Sequence, residues 1–414
     1  MHILLIHQFF LKDDDGGGSR WNEMSRIWIE EGYQVTVLTG TVHYMGQQSD
    51  KTSRKYFAER VNKDGVKVIS CHVSESYTTG FYKKLWAFIS FIFSSIYGGI
   101  FYGKDQYDLI IVTSPPLFVG ITAIVLSWWK QIPFLFEIRD LWPESAIEVG
   151  VLKNKLLIRF AYWFEQNVYR KAKLINVLTP AFREILIQEK NIPAEKIIYI
   201  SNGADFPLAD QIRADLDVSA FRKEYRLEGK FVIVYVGAHG IANHLIQIIE
   251  AATLLQNTNA HFLLIGDGKE KEELMTEVQK RKLLNIQFLN SVSKNDVFKY
   301  IMASDMGTSV LKKTEIFKTI YSNKTFDYFS CKKPVLMAID GISRLLVEDA
   351  DAGIFIEPEN ARDFADKVKY YIDRPHLLTS QGENGYHYAK VHFDRDDLAK
   401  KYLNYLTNYF GNHR

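Results

Sequence analysis

A chain of 414 residues exceeds what one compact core usually serves, roughly 100–200 residues, so two domains of similar size are expected. A hydrophobic share of 47% beside 24% charged residues excludes a disordered chain, and 25 glycines with 10 prolines exclude collagen-like or low-complexity material. The 51 basic and 49 acidic residues leave a formal net charge of +2, which lacks the electrostatic footprint of a dedicated nucleic-acid binder, so no nucleic acid is expected as a partner.

The chain opens MHILLIHQFF, an apolar run without a basic leader or a small-residue cleavage site, and it reads as a first strand rather than a signal peptide. Cys71 and Cys331 lie too far apart for a staple framework, a Cys-x-x-Cys motif or a zinc knuckle, and a reducing cytosol is the expected compartment. Gly16, Gly17 and Gly18 follow the first strand and precede a helix-period stretch near Ser19. Either they form a surface loop, or their bare backbone lets a phosphate or an acceptor approach.

From Leu85 to Gly103 the chain carries no charge, and Lys83 and Lys84 stand just before it. Three readings fit this segment: a helix buried against a sheet, a helix dipping one face into a membrane surface, and a membrane span. Its serines and its glycines at 98, 99 and 103 dilute the apolar run and weigh against a span. On the interfacial reading Trp86, Phe88 and Phe91 touch lipid and the two lysines meet anionic headgroups.

β-rich runs each followed by a helix-period segment (ILLIH, VTVLTG, VKVISCHV, LIIVTS, FLFEIRD, LINVLT) indicate a parallel sheet covered on both faces. IIYISNGADFPLAD reads as a linker, and the pattern then restarts with FVIVYVG, HFLLIGDG, IQFLNSV, MGTSVL, PVLMAID and GIFIEP. The expected class is therefore α/β, with two doubly wound, Rossmann-like parallel-sheet domains. The divisions are 1–205 with a membrane-proximal segment at 83–103, 206–390, and a final helix at 391–414 free to cross back to the first domain. Charge divides nearly evenly, and the local clusters Lys153, Lys155, Arg159 and Arg170, Lys171, Lys173 read as solvated helix faces.

In such sheets ligands sit beyond the carboxyl ends of the strands. Arg139 and Asp140 follow FLFEI, with Trp142, Pro143 and Glu144 next to them. YVGAHGIANH sets Gly237, His239, Gly240 and Asn243 at a strand-to-helix turn, where an anion meets backbone donors. Gly266 ends the next strand in a turn that structure alone explains. Lys318, Thr319, Lys324 and Asp327 precede an apolar helical turn and a strand, and a carboxylate such as Asp327 can accept from two vicinal ribose hydroxyls.

Taken in order, these residues resemble the retaining family 4 glycosyltransferases of the GT-B fold, over essentially the whole chain. The bacterial fucosamine transferases and related O-antigen and capsule enzymes are the nearest look, through ILLIHQFF with its triple glycine, TSPPLFVGITA and EIRDLWPES. The resemblance implies transfer of a sugar, such as an N-acetylated deoxyhexosamine, from a nucleotide diphosphate sugar, favouring UDP. The implied acceptor is a polyprenyl diphosphate-linked saccharide at the cytoplasmic face of the inner membrane, and neither a cofactor nor a metal is implied. It brings Gly16 to Gly18 close to the donor diphosphate and puts Asp327 at the second glutamate of the family's Glu-x7-Glu motif. The first glutamate falls at Thr319, and the usual arginine and lysine of the phosphate turn fall at Ala238 and Asn243. Lys324, Lys318 or Arg139 are then left to balance the leaving diphosphate, Lys324 foremost, while Asp140 orients the acceptor hydroxyl or the donor sugar. Two other readings remain: a nucleotide-sugar 2-epimerase of the same fold, and a non-catalytic subunit that grips a partner transferase.

Overall fold

The computed structural model describes residues 1–12, 20–41, 56–74, 81–148 and 150–411, apart from the side chains of 81–85. Gly16, Gly17 and Gly18, and the side chains of Lys83 and Lys84, thus lie outside the described residues. The chain divides into two units, Met1–Ser201 with Asp396–Arg414, and Asn202–Arg395.

Unit 1 runs β1 (His2–Ile6), α1 (Arg20–Glu30), β2 (Gln34–Gly40), β3 (Phe57–Val61), β4 (Lys67–Cys71), α2 (Phe81–Phe101), β5 (Leu109–Ser114), α3 (Gly120–Lys130), β6 (Phe134–Ile138), α4 (Glu144–Glu148), α5 (Lys155–Lys171), β7 (Leu174–Val177), α6 (Pro180–Gln188) and β8 (Ile197–Tyr199). The sheet order is β3-β4-β2-β1-β5-β6-β7-β8, and within it β3 runs antiparallel, against β4. Every residue of β5, β6 and β7 is buried, which is why these strands read as unbroken apolar runs. Two strands depart from the sequence reading. β3 (FAERV) is an edge strand too charged to stand out, and β8 occupies part of the expected linker, where a three-residue strand finds its partner in β7.

One face of the segment from Leu85 to Gly103 packs on the sheet and on α3. Ala87, Phe91, Ser95, Gly98 and Gly99 of α2 are buried, and a Cβ on Gly98 would stand 2.8 Å from Cys71 Sγ, one on Gly99 2.5 Å from Leu126 Cδ1. The glycines that dilute the apolar run let α2 lie close on the sheet and on α3. Among the described residues no helix is long and apolar enough to cross a membrane. Phe91 is corrected as a membrane contact, because it is fully buried; Phe88 is half-buried, and Trp86 is exposed.

Unit 2 runs α7 (Phe206–Asp215), α8 (Val218–Glu224), β9 (Phe231–Val236), α9 (Ile246–Leu254), β10 (Ala260–Ile265), α10 (Lys271–Lys280), β11 (Ile286–Leu289), α11 (Lys294–Ala303), β12 (Met306–Val310), α12 (Asn323–Ser330), β13 (Val335–Ala338), α13 (Ile342–Asp349), β14 (Gly353–Phe355), α14 (Ala361–Ile372) and α15 (His376–His392). All six strands are parallel in the order β11-β10-β9-β12-β13-β14, so the direction of winding reverses between β9 and β12. There the pairing covers Met306 with Ile233 and Gly307 with Val234. The Tyr328 ring fills the space that Gly307 leaves, and its hydroxyl reaches Val234 O at 3.2 Å and Thr308 O at 3.1 Å while accepting from Val236 N at 3.3 Å. A tyrosine thus satisfies the backbone where the two strands part, and it seats α12 over the opening.

The last helix, α16 (Arg395–Phe410), packs on unit 1. Its Tyr402 meets Trp28 edge-on at 5.5 Å, Trp28 Nε1 donates to Ala399 O at 3.0 Å, and Leu398, Leu403, Leu406 and Phe410 share a core with α1 and strands β1, β2 and β5.

Candidate active site

In unit 2 the relevant side chains gather at the carboxyl ends of β9 and β10 and on the first turns of α12. Gly237 ends β9 with φ 142°, and the stem of Lys324 lies against it, Cε 3.3 Å from where a Cβ would be. The ammonium group stands 4.9 Å from the Tyr235 ring centroid and 3.5 Å from Ser322 Oγ, whose hydroxyl continues to Ser309 at 3.1 Å and, through it, to Thr325 at 3.2 Å. Burial lowers the Lys324 pKa to about 8 against the opposing pull of Asp327. Asp327, one turn further along α12, is pushed up to about 6, chiefly by burial and also by Asp205, while Lys294 and Lys324 hold it down. A cation and a carboxylate whose titrations are drawn toward neutrality, side by side at a switch point, mark a functional site.

Close backbone packing shapes the floor of this region. A Cβ on Gly266 would run into Gly237 O, and one on Gly268 into His239 O, so these turns admit glycine alone. His239 donates its backbone N–H to Asp267 O at 2.9 Å and accepts from Glu270 N at 3.0 Å. Its ring is fully buried with neither nitrogen hydrogen-bonded among the described residues, and burial followed by the nearby Lys271 charge lowers its pKa to about 4. Gly240 accepts from Asn243 N at 2.9 Å within a turn, and α9 begins later, at Ile246, so the loop from Gly237 is longer than a direct strand-to-helix turn.

Lys318 and Thr319 occupy a short 3-10 turn before α12. Lys318 is paired with Glu315 at 2.7 Å and lies 3.9 Å from Asp340, and the Thr319 hydroxyl donates to Ile316 O at 2.6 Å. Their side chains are engaged locally, whereas Lys324, Asp327, Gly237 and Gly266 come together.

In unit 1, Arg139 and Asp140 follow β6, with Arg139 N donating to Ser114 O at 3.1 Å. The Ser145 hydroxyl donates to Asp140 Oδ2 at 2.9 Å, yet burial, aided by Glu144, raises the Asp140 pKa to about 6. Glu144 is itself tied down by Lys190 at 2.6 Å, and Lys190 also holds Glu165 at 2.6 Å. Burial, with Glu144 beside it, lifts the Glu165 carboxyl to about 7 despite Lys190 and the 2.8 Å bond from Tyr169. Beside this loop, at the switch point between β1 and β5, His7 Nδ1, Gln8 Oε1 and Nε2, and Thr113 Oγ1 are buried without hydrogen-bond partners among the described residues. Burial and then the Arg139 charge keep His7 neutral, well below its usual range.

The sequence reading missed these polar groups, although His7 and Gln8 stand at the end of the first strand, where the strand-end rule could have found them. It also missed Lys294, which pairs with Asp205 and faces Asp327, and Lys271, which donates to Gly266 O, Asp267, Leu289 O and Asn290 within 3.0 Å.

Residues 15–203 match the family model for a glycosyl transferase 4-like domain, and residues 217–388 match that for glycosyl transferases group 1. The chain is 22% identical over 412 residues to the putative colanic acid biosynthesis glycosyl transferase WcaI of Escherichia coli K12, covering 98% of this chain and 99% of that protein. The structure of Anabaena HepE in complex with UDP and glucose superposes with a TM-score of 0.74 at 16% identity, over 99% of this chain and 100% of HepE. WaaG, a glycosyltransferase involved in lipopolysaccharide biosynthesis, superposes with a TM-score of 0.68 at 16% identity, over 98% of this chain and 99% of WaaG.

Proposed function

The chain belongs with the family 4-type glycosyltransferases of the GT-B fold, and we propose that it moves a sugar, with retention of configuration, from a UDP-sugar to a lipid-linked saccharide in surface polysaccharide assembly. The sugar is an N-acetylated deoxyhexosamine such as N-acetyl-L-fucosamine, and the acceptor is a polyprenyl diphosphate-linked saccharide met at the membrane surface. Similarity to WcaI, named for colanic acid biosynthesis, supports the pathway class, and the fold shared with HepE, solved with UDP and glucose, supports the nucleotide.

The observation that carries the reading is Lys324 against Tyr235 and Gly237 at the carboxyl end of β9, with Asp327 one turn further along α12 and each group's charge felt by the other. Asp327 accepts from the two ribose hydroxyls, and Lys324 balances the charge that grows on the diphosphate as the anomeric C–O bond breaks. The acceptor oxygen bonds to the same face of the anomeric carbon, and its proton passes to the departing diphosphate oxygen. The protein's contribution is positioning and electrostatic stabilisation, with Asp140, held by Ser145, orienting the acceptor hydroxyl. Here Asp140 is a hydrogen-bond acceptor rather than a nucleophile.

Calorimetric titration with UDP, GDP, ADP, dTDP and CMP, wild type beside Asp327→Ala, tests the donor half. Selective UDP binding weakened by the substitution is the expected result, and equal affinity in both proteins would remove Asp327 from the site. NMR of the anomeric proton in donor and product tests retention.

A further inference from the structure

Between Glu148 and Glu165 the chain has no carboxylate, yet it carries Lys153, Lys155 and Arg159. The same stretch presents Leu156 at 78% exposure and Trp163 at 61%, with Leu157 and Phe160 also exposed. Asn154 caps α5 by accepting from Leu156 N and Leu157 N, so these side chains stand on ordered helix. Leu156, Phe160 and Trp163, spaced i, i+4 and i+7, form one stripe bordered by Lys155 and Arg159, while Ala161, Phe164 and Val168 face the core. A purely solvated helix face does not carry such a row, and a contiguous apolar stripe rimmed by one sign of charge marks an interaction surface.

The stripe adjoins the Asp140 loop. Phe160 stacks on Phe118 at 6.2 Å, and Phe118 meets Trp142, two residues beyond Asp140, at 5.4 Å. The second apolar face of this unit, on α2, exposes Trp86, Phe93, Tyr97 and Phe101, and its two basic residues, Lys83 and Lys84, fall in the first turn of that helix, ahead of a stretch from Trp86 to Gly103 without charge. On α5 the cations lie among the exposed apolar residues, whereas on α2 they stand at one end of the helix.

We propose that the N-terminal half of α5, with Lys153 just before it, docks on an anionic lipid bilayer, with Leu156, Phe160 and Trp163 in the interface and Lys153, Lys155 and Arg159 against headgroup phosphates. This rests on the lipid-linked acceptor proposed above, and it places the Asp140 loop beside the surface from which such an acceptor emerges.

The test is co-sedimentation of the full chain with phosphatidylglycerol–phosphatidylcholine vesicles and with phosphatidylcholine vesicles, without sugar nucleotide. Binding to the anionic vesicles should weaken with added salt and fall about tenfold or more in Leu156→Ser/Trp163→Ser and in Lys153→Glu/Lys155→Glu/Arg159→Glu. Trp86→Ser/Phe93→Ser should bind as wild type, and circular dichroism of each variant confirms that it is folded. Three results overturn the proposal: unchanged binding in the α5 variants, loss confined to the α2 variant, or no vesicle binding beside a dimer that the α5 changes dissociate in light scattering. Transfer to a short-chain, water-soluble acceptor is measured separately. α5 variants that keep that transfer while losing vesicles support the docking surface, whereas wild type that transfers to no diphosphate-linked acceptor defeats the functional reading without touching the vesicle result.

Discussion

Arg20, the first residue of α1, grips Glu137 of β6 with two parallel bonds, Nε to Oε1 and Nη2 to Oε2, each 3.1 Å long, although 117 positions separate them. The pair is buried, Arg20 also donates to Ser201 O at 2.5 Å and Ile200 O at 3.0 Å, and Asn176 donates to Glu137 Oε2 at 2.9 Å. The start of α1, where the chain emerges from the triple-glycine segment, is thereby fixed to the strand that delivers Asp140. Breaking such a pair strands a buried charge, so Arg20→Met or Glu137→Gln should cost about 3–5 kcal/mol in denaturant unfolding. Replacing both with apolar residues should cost less than the sum of the singles, and strict additivity would deny the coupling.

Asp327 sits where its charge is costly, and its titration gives a stability test. Its folded pKa, about 6, lies above the usual carboxylate value, so the stability present in acid is lost as pH rises through 6. Asp327→Asn should therefore be more stable than wild type at pH 7 by about 1–2 kcal/mol, discounted for partial solvent access, and equal to it near pH 4. The same variant should bind UDP more weakly by about tenfold or more, since it loses a charge-assisted acceptor. Thermal melts at the two pH values and a titration with UDP read both effects.

Lys324 should matter more to turnover than to donor binding, because the charge it meets grows as the bond breaks. Lys324→Met is expected to lower kcat by about 10²–10³-fold with a smaller change in KM. With Asp327 near 6 and Lys324 near 8, UDP affinity should describe a bell: it falls in acid as the carboxylate takes a proton, and above pH 8 as the ammonium group loses one. A flat profile from pH 5 to 9 would detach both residues from the nucleotide.

Ser145 donates to Asp140 and so holds its pKa down against burial. Ser145→Ala should move the acidic limb of the pH–rate profile upward from about 6, whereas an unmoved limb would mean that a different group sets it.

Gly266→Ala and Gly268→Ala should each destabilise unit 2 severely, since the added methyl would meet the backbone of Gly237 or His239 and both positions have positive φ. A loss of several kcal/mol is expected, beyond the ~1 kcal/mol of an ordinary glycine substitution, as read by denaturant unfolding.

The parallel sheets were legible because strands buried on both faces leave unbroken runs such as LIIVTS and FVIVYV, and strand ends point to loops. Asp140 and Lys324 were legible as candidates for that reason. What stayed hidden is chemistry assembled at long range. Nothing near Arg20 announces Glu137, nothing near Lys190 announces Glu165, and Gln8 carries no local signal that its amide ends buried without a partner. β8 escaped because three residues make no period, and α2 stayed ambiguous because its glycines, which dilute hydropathy, serve close contact with Cys71 and Leu126.

The return of α16 sets an order on synthesis. Leu398, Tyr402, Leu406 and Phe410 belong to the same core as Ile3, Trp21 and Trp28, so the apolar face of α1 lacks this cover until residues 398–410 have left the ribosome. Unit 2, whose residues 202–395 are made in the interval, can be complete first. Unit 1 is thus completed only by residues that follow unit 2 in the chain, so its core closes after the residues of unit 2 have been made.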